Sequence, residues 1–259
     1  MLEERCGAKL LHRTTRVVRV TDAGASYLAQ CKRILAEVAE AEAQASSSQR
    51  ELSGPLSITA PTMFGRLHVA PIALAFMKQH PRVNLRVTFS DHVIDLYEQN
   101  VDVAVRIAAL SDSNLHATRV GGVRRVVCAS PAYLRARGTP KEPADLLQHD
   151  LISFAAEGEP LFWTFHVDGK PQRLRTVPRL VVNSVDTALQ AARAGYGLTK
   201  LVSYQVASAI AARELRVVLS EYEGPEVPVQ VVRTEGKAAS ARVRAFLEYA
   251  VRGLRAALA

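Results

Sequence analysis

Near the start of the chain, Tyr27, Cys31, Ile34, Val38, Ala41 and Ala45 fall four, three, four, three and four residues apart. That spacing holds one narrow apolar seam on a single helix face over about five turns. The flanks are strongly polar, with Lys32, Arg33, Glu37, Glu40 and Glu42. Such a helix has no broad apolar stripe to lay on a core of its own. It reads as one long helix from Thr21 to about Arg50 that pairs with a second copy. The small Ala41 and Ala45 would let the two approach closely. A helix resting on its own core is the other reading. Cys31 lies on the seam, either as a buried inert thiol or as a cross-link between copies.

The residues before this helix read as a helix end and a hairpin. Leu2-Glu3-Glu4-Arg5 has the pattern of a last helical turn, and Gly7 stops it where positive φ costs least. Leu10 and Leu11, then the alternating Val18 and Val20, form two short strands around His12-Arg13-Thr14-Thr15-Arg16. Thr21-Asp22 supplies oxygen acceptors for the free N–H groups of the long helix. Helix end, basic hairpin and long helix make the back half of a winged helix-turn-helix, whose hairpin tip would meet DNA phosphates. The candidate contacts are Arg5, Lys9, Arg13, Thr14, Thr15 and Arg16; a plain solvated turn is the alternative. A net charge of +8 and a pI near 9.7 permit nucleic-acid binding without proving it. The C-terminal helix is also basic, at Arg242, Arg244, Arg252 and Arg255, and such a run commonly marks a solvated face.

Ser46-Ser47-Ser48-Gln49-Arg50 to Ser53-Gly54-Pro55 is the clearest linker. Beyond it the pattern alternates strand and helix. Leu56–Ala60 reads as a strand, Arg66–His80 as a helix kinked near Pro71, Val83–Phe89 as a strand, Val93–Gln99 as a short helix and Val101–Ile107 as a strand. This order implies right-handed crossovers and a parallel sheet. A second such unit runs from about Gly121 to Ser220. Its strands include Arg125–Ala129, Leu151–Phe154, Phe162–Phe165, Leu180–Asn183 and Leu198–Leu201, with a helix capped by Ser184. Val227–Val232 returns as a strand and Ala239–Leu258 closes the chain as a helix. Ligands bind in clefts between two such units. Strand ends there offer Thr62, Met63, Ser90, Asp91, Arg106, Asn183 and Ser184 as candidate effector contacts. Hydroxyls at helix N-termini suit a carboxylate or other anion, but ordinary capping explains them equally well, and Arg106 could instead pair with Asp91 or Asp102.

Other chemistries find little support. The seven histidines show no ligand spacing, and the three cysteines (Cys6, Cys31 and Cys128) form no CxxC pair. No Ser-His-Asp arrangement or GxSxG is readable, so neither an enzyme nor a metal or cofactor is expected. Gly195-Tyr196-Gly197 is too short for a dinucleotide loop, and Trp163 reads as packing. With no signal peptide or membrane span in the pattern, the expected location is the cytoplasm.

Leu2-Glu3-Glu4, Gly7-Ala8-Lys9-Leu10-Leu11, His12 to Arg16, Val20-Thr21-Asp22-Ala23-Gly24, Asp102 to Ile107, Val127 to Leu134, Ala194 to Leu198 and Arg242 to Leu247, taken in order, resemble a LysR-type transcriptional regulator. The resemblance implies an α/β chain in three parts. Residues 1–20 would be the C-terminal remnant of a winged helix-turn-helix, and residues 21–52 a dimerisation linker helix. Residues 53–259 would be a periplasmic-binding-protein-like effector domain, with subdomain I at about 53–120 and 221–259 and subdomain II at about 121–220. It also implies DNA, a small-molecule inducer, a homodimer or tetramer and RNA polymerase as partners. The family's first two helices and most of its recognition helix have no counterpart before Met1, so this chain is expected to touch phosphates and offer little base readout. On that reading it could act as a partner of full-length subunits. A periplasmic-type solute-binding protein is the alternative function.

Overall fold

The computed structural model describes residues 2–13, 18–45, 51–92, 94–96, 99–109, 115–155, 161–234 and 240–258. Helix α1 (Leu2–Cys6) ends at Gly7, whose φ is +62°. The Glu3 carboxylate then fixes the turn, accepting from the Leu10 and Leu11 amides at 2.7 and 3.0 Å. Strands β1 (Leu11–Arg13) and β2 (Val18–Val20) pair antiparallel, Leu11 opposite Val20. Thr21 is the hinge between hairpin and helix: its Oγ1 accepts from the Gly24 amide at 2.9 Å and donates to the Lys9 carbonyl at 2.7 Å. Helix α2 (Asp22–Ala45) follows; residues 46–50, where the sequence pattern carries it on, lie outside the described residues. A side chain at Gly24 would run into the Leu10 carbonyl, which explains why a helix former is absent there. Leu28, Ile34, Leu35 and Val38 are all exposed, Leu35 at 68%. Of the seam residues whose side chains are described, Ile34 and Val38 are thus exposed, while Tyr27 and Cys31 are half-buried.

Two five-stranded sheets and a two-stranded hairpin make up the strands of the rest among the described residues. In the first, β3 (Ser53–Ala60) lies parallel to β4 (Arg82–Phe89) and β5 (Val103–Ile107). The sheet is mixed rather than wholly parallel, because β14 (Val227–Thr234) returns antiparallel between β5 and β6 (Leu115–Val123). Between β3 and β4 the chain is helical throughout, as α3 (Thr62–Phe64), a π segment (Gly65–Val69) and α4 (Ala70–Gln79). The π register, in which the Ala70 amide bonds the Gly65 carbonyl, takes up the disturbance of Pro71, which has no N–H to give. The helix expected over Val93–Gln99 is not formed in the described residues there. The Gln99 and Val101 amides bond back to the Asp95 and Leu96 carbonyls, and Asn100 has a φ of +53°; residues 93, 97 and 98 lie outside the described residues. Helix α8 (Ala241–Leu258) closes this unit by burying Val243, Phe246, Ala250 and Leu254, with Phe246 edge-on to Phe76 at 5.2 Å. Arg242 is not part of a solvated face: it is buried, and its Nε donates to the Pro55 carbonyl at 2.8 Å.

The chain enters the second sheet after Arg124. Its strands are β7 (Arg125–Ala129), β8 (Leu151–Phe154), β11 (Leu180–Val182), β12 (Leu198–Val202) and β13 (Arg216–Val218), in the order β11-β8-β12-β7-β13. Helix α5 (Pro131–Arg137) follows β7, capped by Ser130. Helices α6 (Val185–Arg193) and α7 (Ser203–Ala211) cover one face, on Cys128, Ile152 and Leu201. The other face, with Val127, Leu151 and Leu198, is covered by Trp163 and Phe165 of the hairpin β9 (Phe162–Val167) and β10 (Lys170–Arg175). Among the described residues no helix is long and apolar enough to cross a membrane.

Candidate effector cleft and DNA-contacting wing

The ends of β3, β4 and β5 meet around a cavity of about 280 Å³, lined among others by Thr59, Ser90, Asp91, Ile94 and Arg106. Strand pairing explains the convergence: Ala60 stands beside Phe89 and Thr59 beside Ala104, so the residues after each strand open on one edge. The guanidinium of Arg106 donates to the Ile94 carbonyl at 2.9 Å, which leaves further N–H donors on its fork. It bonds this carbonyl instead of Asp91 or Asp102, whose carboxylates accept from the Thr62 and Ser57 amides at 3.0 and 2.9 Å. The Thr62 helix start is thus already filled by a carboxylate of the same chain. Ser90 Oγ accepts from the His92 amide at 3.2 Å.

The other predicted contacts are divided. Met63 packs into the second unit's core, against the cluster containing Val185 and Val206. Asn183 and Ser184 stand at the start of α6 in that unit, where Ser184 Oγ accepts from the Thr187 amide at 3.3 Å as an ordinary cap. Ser90, Asp91 and Arg106 therefore line one cavity, Thr62 is tied to it only through the bond of its amide to Asp91, and Met63, Asn183 and Ser184 are not part of it.

Between the units runs a junction of rings. The Phe64 ring lies tilted against His68 at 4.7 Å and meets Tyr204 of α7 edge-on at 5.2 Å. Burial lowers the His68 imidazole and pushes the Tyr204 phenol up to about 12, so both are neutral at pH 7. Arg66 and Asp186 pair across the same junction at 3.2 Å, both more than half exposed. Such a pair is worth about 0.2–1 kcal/mol and weakens with salt. Among the described residues, the contacts at this junction include the packed rings and the exposed Arg66–Asp186 pair, an arrangement that a ligand could rebalance.

At the wing, Arg5 and Lys9 are exposed beside the hairpin. Arg13 ends β1, though its side chain is not described, and Thr14, Thr15 and Arg16 lie outside the described residues. Sequence reasoning missed a second polar group. Lys200 stands in β12 on the face of Leu198, toward Trp163 and Phe165, and its Nζ donates to the Thr164 carbonyl. Its signal was a charge at a core-facing position of an apolar strand.

Known proteins bear on these features. The family described as the LysR substrate binding domain matches residues 49–255. An uncharacterised HTH-type transcriptional regulator of Haemophilus influenzae is 33% identical over 231 residues, covering 89% of this chain and 80% of that protein. The HTH-type transcriptional regulator CrgA of Neisseria meningitidis serogroup B is 32% identical over 255 residues, covering 98% of this chain and 85% of its own. The solved structure of CrgA, a LysR-type transcriptional regulator, superposes with a TM-score of 0.70 at 31% identity, covering 98% of this chain and 86% of that one. Because these matches take in the wing and α2 as well as the two sheets, a solute-binding protein is not favoured. This chain belongs to the LysR family of transcriptional regulators.

Proposed function

We propose that the chain works as a homodimer or tetramer joined through α2, with paired wings on DNA phosphates and a small-molecule effector held between the two α/β units. Residues 1–20 serve as the wing, 21–52 as the dimerisation helix and 53–259 as the sensor. The exposed part of the α2 seam carries this reading: Ile34 and Val38 lie open on a helix with a heptad repeat, and pairing is what buries such a face. Arg5, Lys9, Arg13 and Arg16 supply the charge at the wing, and Thr14 and Thr15 the hydroxyls. In the sensor, Arg106 with Ser90 offers donors to an anionic or carboxylate effector, and Asn183 and Ser184 at the start of α6 are the contacts expected from the other unit. Effector binding shifts the populations of subunit arrangements, and so alters DNA bending or polymerase contact in the cytoplasm. Light scattering at micromolar concentration tests the assembly. A mass of two or four times 28.2 kDa is expected, falling toward one copy in the double variant Ile34→Asp, Val38→Asp. A monomeric wild type would overturn the reading.

A further inference from the structure

A cavity of about 370 Å³ lies wholly within the second unit, between the sheet and the β9–β10 hairpin, and shares no lining residue with the Arg106 cavity. Arg125, Ser153, Phe154, Phe162, Trp163 and Lys200 are among the residues that line it. Strand register explains the grouping. Lys200 is two residues after Leu198, Ser153 two after Leu151 and Arg125 two before Val127, so all three share the face covered by the hairpin.

Three observations mark this as a built site. Ser153 is 3% exposed, yet its Oγ has no hydrogen-bond partner, a state that buried hydroxyls rarely tolerate. Lys200 gives one N–H to the Thr164 carbonyl and lies over the Phe165 ring at 4.2 Å, which leaves donors on its ammonium. Arg125 stands at the rim, and no ion pair is formed by it or by Lys200 among the described residues. The acid nearest in effect, Glu223, is engaged by Arg124 at 2.9 Å.

We propose that this cavity is a second ligand site, taking a small carboxylate carried on a flat aromatic ring. Lys200, Arg125 and the Ser153 hydroxyl hold the carboxylate, and Phe154, Phe162 and Trp163 flank the ring. The cation pair and an unpaired buried donor call for an acceptor with negative charge, and the aromatic walls for a planar body. The site uses none of the cleft residues, so it goes beyond the effector reading above. Burial and the neighbouring Arg125 bring the Lys200 ammonium down to about 8, against a smaller opposite effect of Glu223. It is therefore still charged at neutral pH, and an arriving anion relieves that tension.

Trp163 is the chain's single tryptophan, so its emission reads the cavity directly. The intact chain is titrated at pH 7 with benzoate, with its neutral isostere benzamide and with acetate. A saturable change is expected with benzoate, weaker binding with acetate and none with benzamide. Lys200→Met should weaken benzoate by at least about tenfold and Ser153→Ala by about fivefold, both with native circular dichroism. Arg106→Ala should leave the titration unchanged, which separates this site from the cleft. Equal response to benzamide, no response to benzoate up to about 20 mM, or loss of the signal in Arg106→Ala would each overturn the proposal.

Discussion

Replacing Lys200 by Met should make the protein more stable. In the folded chain the ammonium is held near 8 instead of its ordinary 10.5, first by burial and then by Arg125. Keeping it charged at pH 7 therefore costs about 3 kcal/mol relative to the unfolded chain. The group retains some contact with water, and solvent screening reduces this to about 1–2 kcal/mol. Methionine matches the length of the stem and still packs on Phe165, while the exposed Thr164 can give its carbonyl to water. The net expectation at pH 7 is a gain of about 1–2 kcal/mol, a rise in Tm of about 2–6 °C for a chain of this size. The sign with pH follows from the lowered folded value. Between pH 8 and 10.5 the unfolded chain holds the proton and the folded chain does not. Wild-type stability therefore gains on the variant as pH rises through that window. The assay is urea unfolding at pH 7 and pH 10. A Lys200→Met protein less stable than wild type at pH 7, or a gap that does not close by pH 10, would refute the reasoning. A stabilising substitution that also removes ligand binding is the usual mark of a residue kept for function.

Other consequences can be checked in the same way. His68 has a lowered folded value through burial, so the unfolded chain takes up the proton first and stability is lost as pH falls below about 6.5. Thermal melts from pH 7.5 to 5.5 should show a smaller fall in His68→Phe, which keeps the ring contact with Phe64 and Tyr204 and cannot titrate. Gly24→Ala puts a methyl group against the Leu10 carbonyl, so it should destabilise the hairpin–helix junction by about 2 kcal/mol, seen as faster proteolysis near residue 20.

How much of this was legible in the sequence depended on whether the signal was local. The Thr21 cap, the Gly7 stop and the hairpin were readable because each depends on neighbours within a few residues. The strands β3, β4 and β5 were readable for the same reason. The antiparallel return of β14 was not, since its place between β5 and β6 depends on a second crossing more than a hundred residues later. Arg242 looked like one of a row of surface cations, and only the fold sets it against the Pro55 carbonyl. In the cleft, residue types at strand ends pointed to Ser90, Asp91 and Arg106, which do line one cavity. The reading of Thr62 as an anion donor could not foresee that Asp91 already accepts from its amide. Lys200 went unread because β10 and the hairpin cover of the second sheet were not recognised, and without that cover a lysine in a strand looks solvated.

The central claim is that the wing holds DNA by its phosphates as one of a pair. Fluorescence anisotropy on a generic labelled duplex, repeated from about 50 to 200 mM salt, tests it most directly. With Arg13 and Arg16 on each of two wings making about four phosphate contacts, these residues should contribute about −3.6 to the slope of log K against log salt, on top of the share of Arg5 and Lys9. Arg13→Ala with Arg16→Ala should take most of that contribution away and leave the oligomer intact. Binding that ignores salt, or a slope unchanged in the double variant, would contradict the account.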